Sequence, residues 1–331
     1  RHIRVRGEAV RMTYAEAMVD GLFGCMDEDP RVTILGNEIL GLGPQRIHLQ
    51  RIKDKFPGRI SFPPTSEAAY SATAIGAAMA GERVFVHLGA ASFSYLAMSS
   101  IANEAATAHY TSGGAITVPV VIHMLHGLRV GGASQHSESP QAKYWNTPGL
   151  EIVLPSSPRD VKGLVRSAVA SNNPTVMFTH DRLIPLQGDV PEGPFDIPLG
   201  QAEVKRQGGD VTIVATSYMV QIALDAAEIL AEDGIDAEVV DPRTLVPLDK
   251  KAILDSVAKT GRLVIADETN LSCGVASEIS AIVAEEGFAS LKSPIIRVSR
   301  GDVVVPASPS LEGYITPTAD KIVAAVKGIM G

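Results

Sequence analysis

The sequence is poor in several residue types whose abundance would point to particular classes of protein. It holds only two cysteines, Cys25 and Cys273, in 331 residues, which is too few for a disulfide framework and provides no CxxC pair for a zinc site. Aromatic residues make up 5% of the chain, so the cores must be built from Ala, Val, Ile and Leu. No apolar run approaches the roughly 20 residues that a membrane-crossing helix needs. These shortages favour a protein of a reducing compartment with no membrane partner.

Positive charge is also scarce. Lys and Arg number 29 against 37 Asp and Glu, so the net charge is −8. A protein that binds nucleic acid through its phosphates usually carries the opposite excess, so we expect no nucleic-acid partner. The stretch 1–11 is basic but lacks the apolar centre of a signal peptide. We therefore expect a cytoplasmic location.

The most familiar catalytic and nucleotide-binding motifs are missing as well. The chain has no GxGxxG dinucleotide motif and no GxxxxGK[ST] phosphate loop. It also has no HExxH metalloprotease motif and no GxSxG nucleophile elbow. The common dinucleotide-binding proteins, phosphate-loop proteins, HExxH metalloproteases and nucleophile-elbow hydrolases are thereby excluded.

Short β-branched runs alternate with longer Ala-rich amphipathic stretches along the chain, which is typical of an α/β fold. The length suits two domains of about 100 to 200 residues each. Prolines and glycines concentrate in 185–200, which we predict to be a linker. The sequence therefore predicts two α/β domains, over 12–184 and 201–331.

Local signals predict several individual helices. Thr13 and Glu16 form a capping box that opens a helix. A second helix is predicted from Ser66 to Ala80, and a third over 93–109 between two strands. The two cysteines are predicted to be packing residues.

Glu67 is the first residue that could carry chemistry. It follows Pro-Pro-Thr-Ser at 63–66 and opens an Ala-, Ser- and Gly-rich helix. An acid in the first turn of a helix is favoured by the helix dipole, and this feature alone favours that ordinary role. The alternative is a carboxyl group that keeps its proton in an apolar interface, because small residues allow another chain to approach closely.

The stretch 123–136 is the second such feature. It carries His123, His126 and His136 around two adjacent glycines, just past a predicted strand. Ligands of α/β proteins bind at the carboxyl ends of strands, so His136 is a fair acid–base candidate. A solvated or structurally bonded histidine is the more common outcome for such a loop. A metal cluster of the three histidines matches no standard spacing.

Several short segments occur in the order found in one known family. These segments are Pro64–Glu67, Ile75–Gly81, His109–Gly114, Gln135–Ser137, Pro148–Leu150, Asn172–Pro174, Asp241–Thr244 and Leu311–Glu312. Over residues 12 to 330 the sequence resembles the beta subunit of thiamine diphosphate-dependent 2-oxo acid dehydrogenases. This group includes the pyruvate, branched-chain 2-oxo acid and acetoin dehydrogenases.

The resemblance implies a fold, a cofactor and a partner. It implies a transketolase-like pyrimidine-binding domain followed by a transketolase C-terminal domain. In the family, a Gly-Asp-Gly motif of a separate alpha subunit helps to hold the diphosphate and Mg²⁺, and this chain has no Gly-Asp-Gly. The expected assembly is an α₂β₂ heterotetramer that acts on a small 2-oxo acid or ketone, with a lipoyl acyltransferase core as a further candidate partner.

The resemblance also assigns roles to individual residues. It implies that Glu67 shares a proton with the aminopyrimidine ring of the cofactor, that Phe93 stacks on that ring, and that Gly89 lines the same cofactor site. It implies that His136 helps to pass the acyl group to lipoamide. A monovalent cation such as K⁺ is expected on a further set of residues. That set is Val120, Ala168, Val169, Ser171 and Asn173.

Other positions depart from the family pattern and leave alternatives open. The departures are Asn37, Ala91, Ser99, Ser100, Glu138, Gln141 and Asn146, together with a short loop after Glu38. The main hypothesis is a decarboxylating or ketone-cleaving beta subunit that uses lipoamide. The first alternative is the C-terminal subunit of a split transketolase or carboligase that uses an aldehyde acceptor. The second is a non-catalytic assembly subunit whose cofactor site has decayed.

Overall fold

Strands and helices alternate through most of the chain in the computed structural model, which describes residues 9–38 and 44–331. Their contacts divide them into two units. Unit one holds residues up to 125 together with 147–199, and unit two holds 126–146 together with 200–331. The segment 126–146 therefore packs with the second unit although it lies within the first half of the sequence. The short loop expected after Glu38 falls outside the described residues.

The strands and helices are numbered in chain order. The strands are β1 Ala9–Thr13, β2 Val32–Gly36, β3 Ile60–Ser61, β4 Arg83–Ala90, β5 Val120–His126, β6 Glu151–Val153, β7 Thr175–His180, β8 Gln187–Pro191, β9 Glu203–Arg206, β10 Val211–Ala215, β11 Ala237–Asp241, β12 Thr244–Val246, β13 Leu263–Asn270 and β14 Ile296–Arg300. The α-helices are α1 Tyr14–Glu28, α2 Gln50–Lys55, α3 Glu67–Met79, α4 Ala108–Thr111, α5 Ala133–His136, α6 Gln141–Trp145, α7 Pro158–Ala170, α8 Met219–Glu232, α9 Lys250–Thr260, α10 Val275–Glu286, α11 Pro309–Ile315 and α12 Ala319–Met330.

Unit one is built on a sheet in which six strands lie in the order β6-β7-β5-β4-β2-β3. The pairs β2–β3, β2–β4, β4–β5 and β6–β7 are parallel. Strands such as β7 are buried along their whole length, as expected where helices cover both faces of a parallel sheet. The carboxyl ends of β2 and β4 therefore open at the same edge of the sheet.

Helices α1 and α7 cross at close range in unit one. A Cβ atom on Gly21 would lie 2.8 Å from the carbonyl oxygen of Lys162, so only glycine allows this approach. The Lys162 ammonium is buried and ion-paired with Asp20 at 3.0 Å. The pairing offsets the cost of removing both charges from water.

Two histidines face each other inside this sheet. His87 in β4 pairs in register with His123 in β5, and their ring centroids lie 4.7 Å apart. The His123 Nε2 atom is 2.8 Å from the Thr179 hydroxyl. Burial lowers the pKa of His87 to about 4 and, together with the neighbouring His87, lowers the pKa of His123. Both imidazoles are therefore neutral in the folded protein near neutral pH.

We expect this pair to make the protein acid-labile in a defined window. The unfolded chain takes up protons at both histidines near pH 6.5, whereas the folded chain takes none at His87 until about pH 4. Stability is therefore full above pH 6.5 and falls as the pH drops towards 4, by about 3 kcal/mol for His87. Urea unfolding midpoints at pH 8, 6 and 5 measure this loss. A His87→Leu variant with the same pH dependence as the wild type would contradict the assignment.

Unit two carries a second sheet, in the order β14-β13-β10-β11-β9. β10 runs parallel to β11 and β13, β13 runs parallel to β14, and β9 is antiparallel at the edge. Apart from Met219, its main core consists of Ala, Val, Ile and Leu side chains from this sheet and from α8 and α12. The predicted aliphatic composition of the cores is confirmed here.

The structure confirms the α/β class and several local predictions. The Thr13 capping box is present, and α3 begins after its cap Ser66. The single helix predicted over 93–109 is wrong, because this stretch breaks into a 3₁₀ segment, a π segment and the short α4. Hydroxyl side chains bond to carbonyls three or four residues earlier along it, and such bonds compete with regular helix geometry.

The stretch 185–200, predicted to be a linker, contains regular structure. The Pro- and Gly-rich stretch includes a strand, β8, which pairs antiparallel with β1. Pro191 lies at the end of that strand, where a missing N–H is tolerated.

The two cysteines differ in burial. Cys25 is buried, as predicted, and burial raises the pKa of its thiol to about 12. The prediction that Cys273 is a packing residue is wrong, because Cys273 is exposed. None of the described helices has the length and apolarity to span a bilayer.

Candidate active site

Glu67 occupies the first turn of α3, directly after the N-cap Ser66. Its side chain is buried, with 6% of the residue exposed. Within α3, the Ser71 hydroxyl donates to the Glu67 carbonyl oxygen at 2.7 Å. The predicted position at a helix start is therefore confirmed, and the role of the carboxyl in a cofactor site stays a prediction.

Gly89 and Phe93 lie together at the carboxyl end of β4. Gly89 has a φ of +81°, which favours glycine. A Cβ atom on Gly89 would lie 2.9 Å from the Asn37 amide nitrogen and 3.7 Å from the Phe93 ring. The missing side chain thus leaves a backbone surface flanked by an amide and an aromatic ring, at the edge of the sheet where α/β proteins bind ligands.

Asn37 and Tyr70 connect this surface to the helix of Glu67. The Asn37 N–H donates to the His87 carbonyl at 2.8 Å, which fixes the chain just past β2. The Tyr70 hydroxyl donates to the Asn37 side-chain oxygen at 3.1 Å. Burial raises the pKa of Tyr70, and the charge of the nearby Glu67 raises it further. The carboxyl of Glu67, the phenol of Tyr70 and the amide of Asn37 therefore belong to one polar wall.

Tyr70 was not among the predicted site residues. Its position three residues after Glu67 places it one helical turn further along α3, and that spacing is the signal that could have found it. Asn37 appeared in the sequence only as a departure from the family pattern. Its partner Tyr70 could not be read from the sequence because it lies 33 residues away.

Two other departures in unit one, Ser100 and Ala91, occupy ordinary structural positions. The Ser100 hydroxyl lies 3.1 Å from the Ser71 hydroxyl and so ties the π segment to α3. Ala91 is buried at the start of the 3₁₀ segment. Neither position removes Glu67, Gly89 or Phe93 from the site.

His136 ends the short helix α5 and is exposed in unit two. The three histidines of 123–136 do not form a cluster. His123 bonds to Thr179 in the sheet of unit one, while His126 bonds to Ser217 in unit two. Across residues 9–38 and 44–331, no group of three His, Cys, Asp or Glu side chains could hold a metal ion.

The carbonyls at the end of α7 already have a cationic partner. The Arg83 guanidinium donates to the carbonyl oxygens of Val169 and Ser171 at 2.9 Å, and to that of Ala170 at 3.2 Å. Val169 and Ser171 are two of the five residues expected to hold K⁺. These two therefore fit a further cation poorly, and the cation role of the whole set stays a prediction.

Two family models match the chain, and their descriptions agree with this architecture. The model described as transketolase, pyrimidine binding domain, matches residues 10–187, and the model described as transketolase, C-terminal domain, matches 200–322. The chain therefore belongs to the transketolase-like family of two-domain proteins.

Its relatives narrow the comparison to dehydrogenase beta subunits. The chain is 40% identical to the beta subunit of acetoin:2,6-dichlorophenolindophenol oxidoreductase of Cupriavidus necator, over 92% of this chain and 93% of the relative. It is 37% identical to the 2-oxoisovalerate dehydrogenase subunit beta of Bacillus subtilis, covering 96% and 98%. It is 38% identical to the pyruvate dehydrogenase E1 component subunit beta of Rickettsia felis, covering 97% and 98%. These names match the group that the sequence resembles.

A solved structure described as a split gene transketolase, inactive beta4 tetramer, has the same fold. It matches with a TM-score of 0.79 and 25% identity, over 98% of both chains.

Proposed function

We propose that this chain is the beta subunit of a thiamine diphosphate-dependent enzyme that decarboxylates a 2-oxo acid or cleaves an acetoin-like ketone and passes the acyl group to lipoamide. One observation carries the proposal: a buried carboxyl, Glu67, opens a helix beside the glycine and aromatic ring at the carboxyl edge of a parallel sheet. The dehydrogenase beta subunits among its relatives support the same proposal.

The residues of unit one fit an aminopyrimidine. Phe93 offers a flat apolar face, Gly89 permits close approach to the backbone, and Glu67 offers a carboxyl that bonds a ring nitrogen. When bound, thiamine diphosphate supplies the sink for the electron pair released as the bond beside the 2-oxo or keto carbon breaks. Its diphosphate and Mg²⁺ are assigned mainly to the alpha subunit, because this chain has no Gly-Asp-Gly motif.

This chain's own residues would hold and move protons. The buried Glu67 carboxyl would bond to a nitrogen of the aminopyrimidine ring and share a proton with it. Tyr70 and Asn37 hold the facing wall by their mutual hydrogen bond. His136 would donate the proton that the leaving sulfur takes up when the disulfide of lipoamide is reduced and its other sulfur receives the acyl group.

The assembly and its surroundings follow from the same proposal. We assign the chain to an α₂β₂ heterotetramer, with domains over 12–184 and 201–331 joined through 185–200. Binding to a lipoyl acyltransferase core and a cytoplasmic location stay predictions.

The assembly can be tested by native mass spectrometry of the chain purified with its partner from its own cell. We expect a heterotetramer that carries two thiamine diphosphates. A complex that assembles with an alpha subunit but binds no thiamine diphosphate would overturn the proposal and favour an assembly subunit.

The acceptor is tested on the same complex. Acyl transfer to lipoamide and reduction of 2,6-dichlorophenolindophenol are expected from 2-oxo acids or acetoin. Turnover with aldehydes and none with lipoamide would overturn the proposed acceptor and favour the split transketolase or carboligase. If the complex reduces the dye but uses neither lipoamide nor an aldehyde, only the cleavage step of the proposed reaction would stand.

A further inference from the structure

The loop that carries His136 is closed at its base. The Gly127 N–H donates to the Glu138 carbonyl oxygen at 3.2 Å, so the two ends of the loop 127–138 meet. His136 lies near one end of this loop, in the short helix α5. The position of its imidazole therefore depends on what holds the loop.

Two residues of this loop have strained backbone conformations. Val130 has a φ of 45° and Ala133 a φ of 52°, and neither residue is a glycine. A positive φ is especially unfavourable for a β-branched residue such as Val130. Such conformations cost about 1 to 3 kcal/mol each and persist only where the surroundings enforce them.

Glu312 holds the middle of the loop in this strained conformation. It lies in α11, with 1% of the residue exposed. Its carboxylate accepts from the Val130 N–H at 2.6 Å and from the Gly131 N–H at 2.8 Å. Two successive N–H groups that converge on one carboxylate form an anion-binding nest, and bonds to a charged acceptor are stronger than neutral ones.

Two more contacts hold the ends of the loop to the sheet of unit two. Just before it, His126 Nε2 lies 2.9 Å from the hydroxyl of Ser217, which follows β10. At its other end, the Glu138 carboxylate pairs with Arg300, the last residue of β14, at 3.4 Å. Ligands of α/β domains bind at the carboxyl edge of the sheet. Here that edge holds a segment of the protein's own chain.

We infer that Glu312 is a positioning residue for His136, and that holding this loop is the part that the second domain plays in the reaction. The catalytic consequence rests on the proposed function of His136, whereas the effect on the loop does not. Without the carboxylate, the strained turn at 130–131 relaxes and His136 no longer occupies one position.

A purely stabilising role for a buried acid is the competing explanation, and Glu238 provides the matched control. It is also a buried carboxylate of unit two, at 2% exposure. It accepts from Ser256 at 2.5 Å and from the Lys259 ammonium, with no bond to 126–146 among its described partners. Glu312→Gln and Glu238→Gln thus make the same chemical change in the same unit.

The experiment compares both variants with the wild type in the alpha–beta complex. Hydrogen exchange is followed in the peptide covering 128–136, and acyl transfer to lipoamide is measured beside dye reduction. For Glu312→Gln we expect roughly tenfold faster exchange in that peptide and a roughly tenfold loss of lipoamide transfer, because one N–H loses its acceptor and the other keeps only an uncharged one. Dye reduction should stay within about twofold, and Glu238→Gln should leave the exchange of this peptide unchanged.

The proposal fails if Glu312→Gln leaves the exchange of 128–136 unchanged, or if both activities fall equally in it. If Glu312→Gln does not assemble, the same exchange measurement on Glu312→Asp decides, because the shorter side chain keeps the charge but not the reach. A wild-type complex without turnover would remove the proposed function, and the exchange result would still decide whether Glu312 holds the loop.

Discussion

Complexes that carry Glu67→Gln are expected to turn over about a thousandfold more slowly than the wild type, with lipoamide and with the dye alike. Glutamine keeps the shape of the side chain and its hydrogen-bonding capacity but has no acidic proton. The loss therefore isolates proton sharing from packing. Steady-state kcat with each acceptor measures it, together with the Kd of thiamine diphosphate, which is expected to rise less than kcat falls.

A matched control comes from the same unit. Glu16 also lies in the first turn of a helix, where it closes the capping box of α1. Glu16→Gln retains a residue that suits this box, so activity should stay within about twofold of the wild type. Near-normal turnover of Glu67→Gln would overturn the proposed role of Glu67.

Replacement of His136 by Gln should separate the two halves of the reaction. We expect lipoamide transfer to fall about a hundredfold, because the variant cannot donate a proton to the leaving sulfur of the lipoamide disulfide. Dye reduction bypasses that disulfide, so the rate of dye reduction is expected to fall less than tenfold. The ratio of the two rates, measured from pH 6 to pH 8, is the diagnostic quantity.

His48→Gln is the control for this experiment. His48 is half-buried and lies 3.9 Å from the Glu16 carboxylate in unit one. Both rates should keep their wild-type ratio in this variant. An equal fall of both rates in His136→Gln would mean that His136 acts before acyl transfer.

Features that depend on neighbouring residues were predictable from the amino-acid sequence. The capping box at Thr13 and the start of α3 at Ser66 are set by neighbouring residues, and both were predictable. Glu67 could be singled out for the same reason, because its helix-start position is local. The α/β class followed from periodicity, which is also a local property.

Features that depend on distant residues could not be predicted. The partner of Asn37 lies 33 residues away, and the partners of the 169–171 carbonyls lie on Arg83. The break in the helix predicted over 93–109 depends on hydroxyl bonds whose geometry periodicity does not describe. The packing of 126–146 with residues beyond 200 also depends on distant residues, and no local pattern predicted it.

The nest between Val130, Gly131 and Glu312 has a consequence for how such chains can be recombined. A chimera cut at the linker would join the loop of one relative to the helix α11 of another. Each half would fold, but the His136 imidazole would be displaced from its native position. Exchange of 126–146 along with the C-terminal half would keep the two N–H donors and the Glu312 carboxylate in one parental sequence. The unit that has to be exchanged together is therefore discontinuous in sequence.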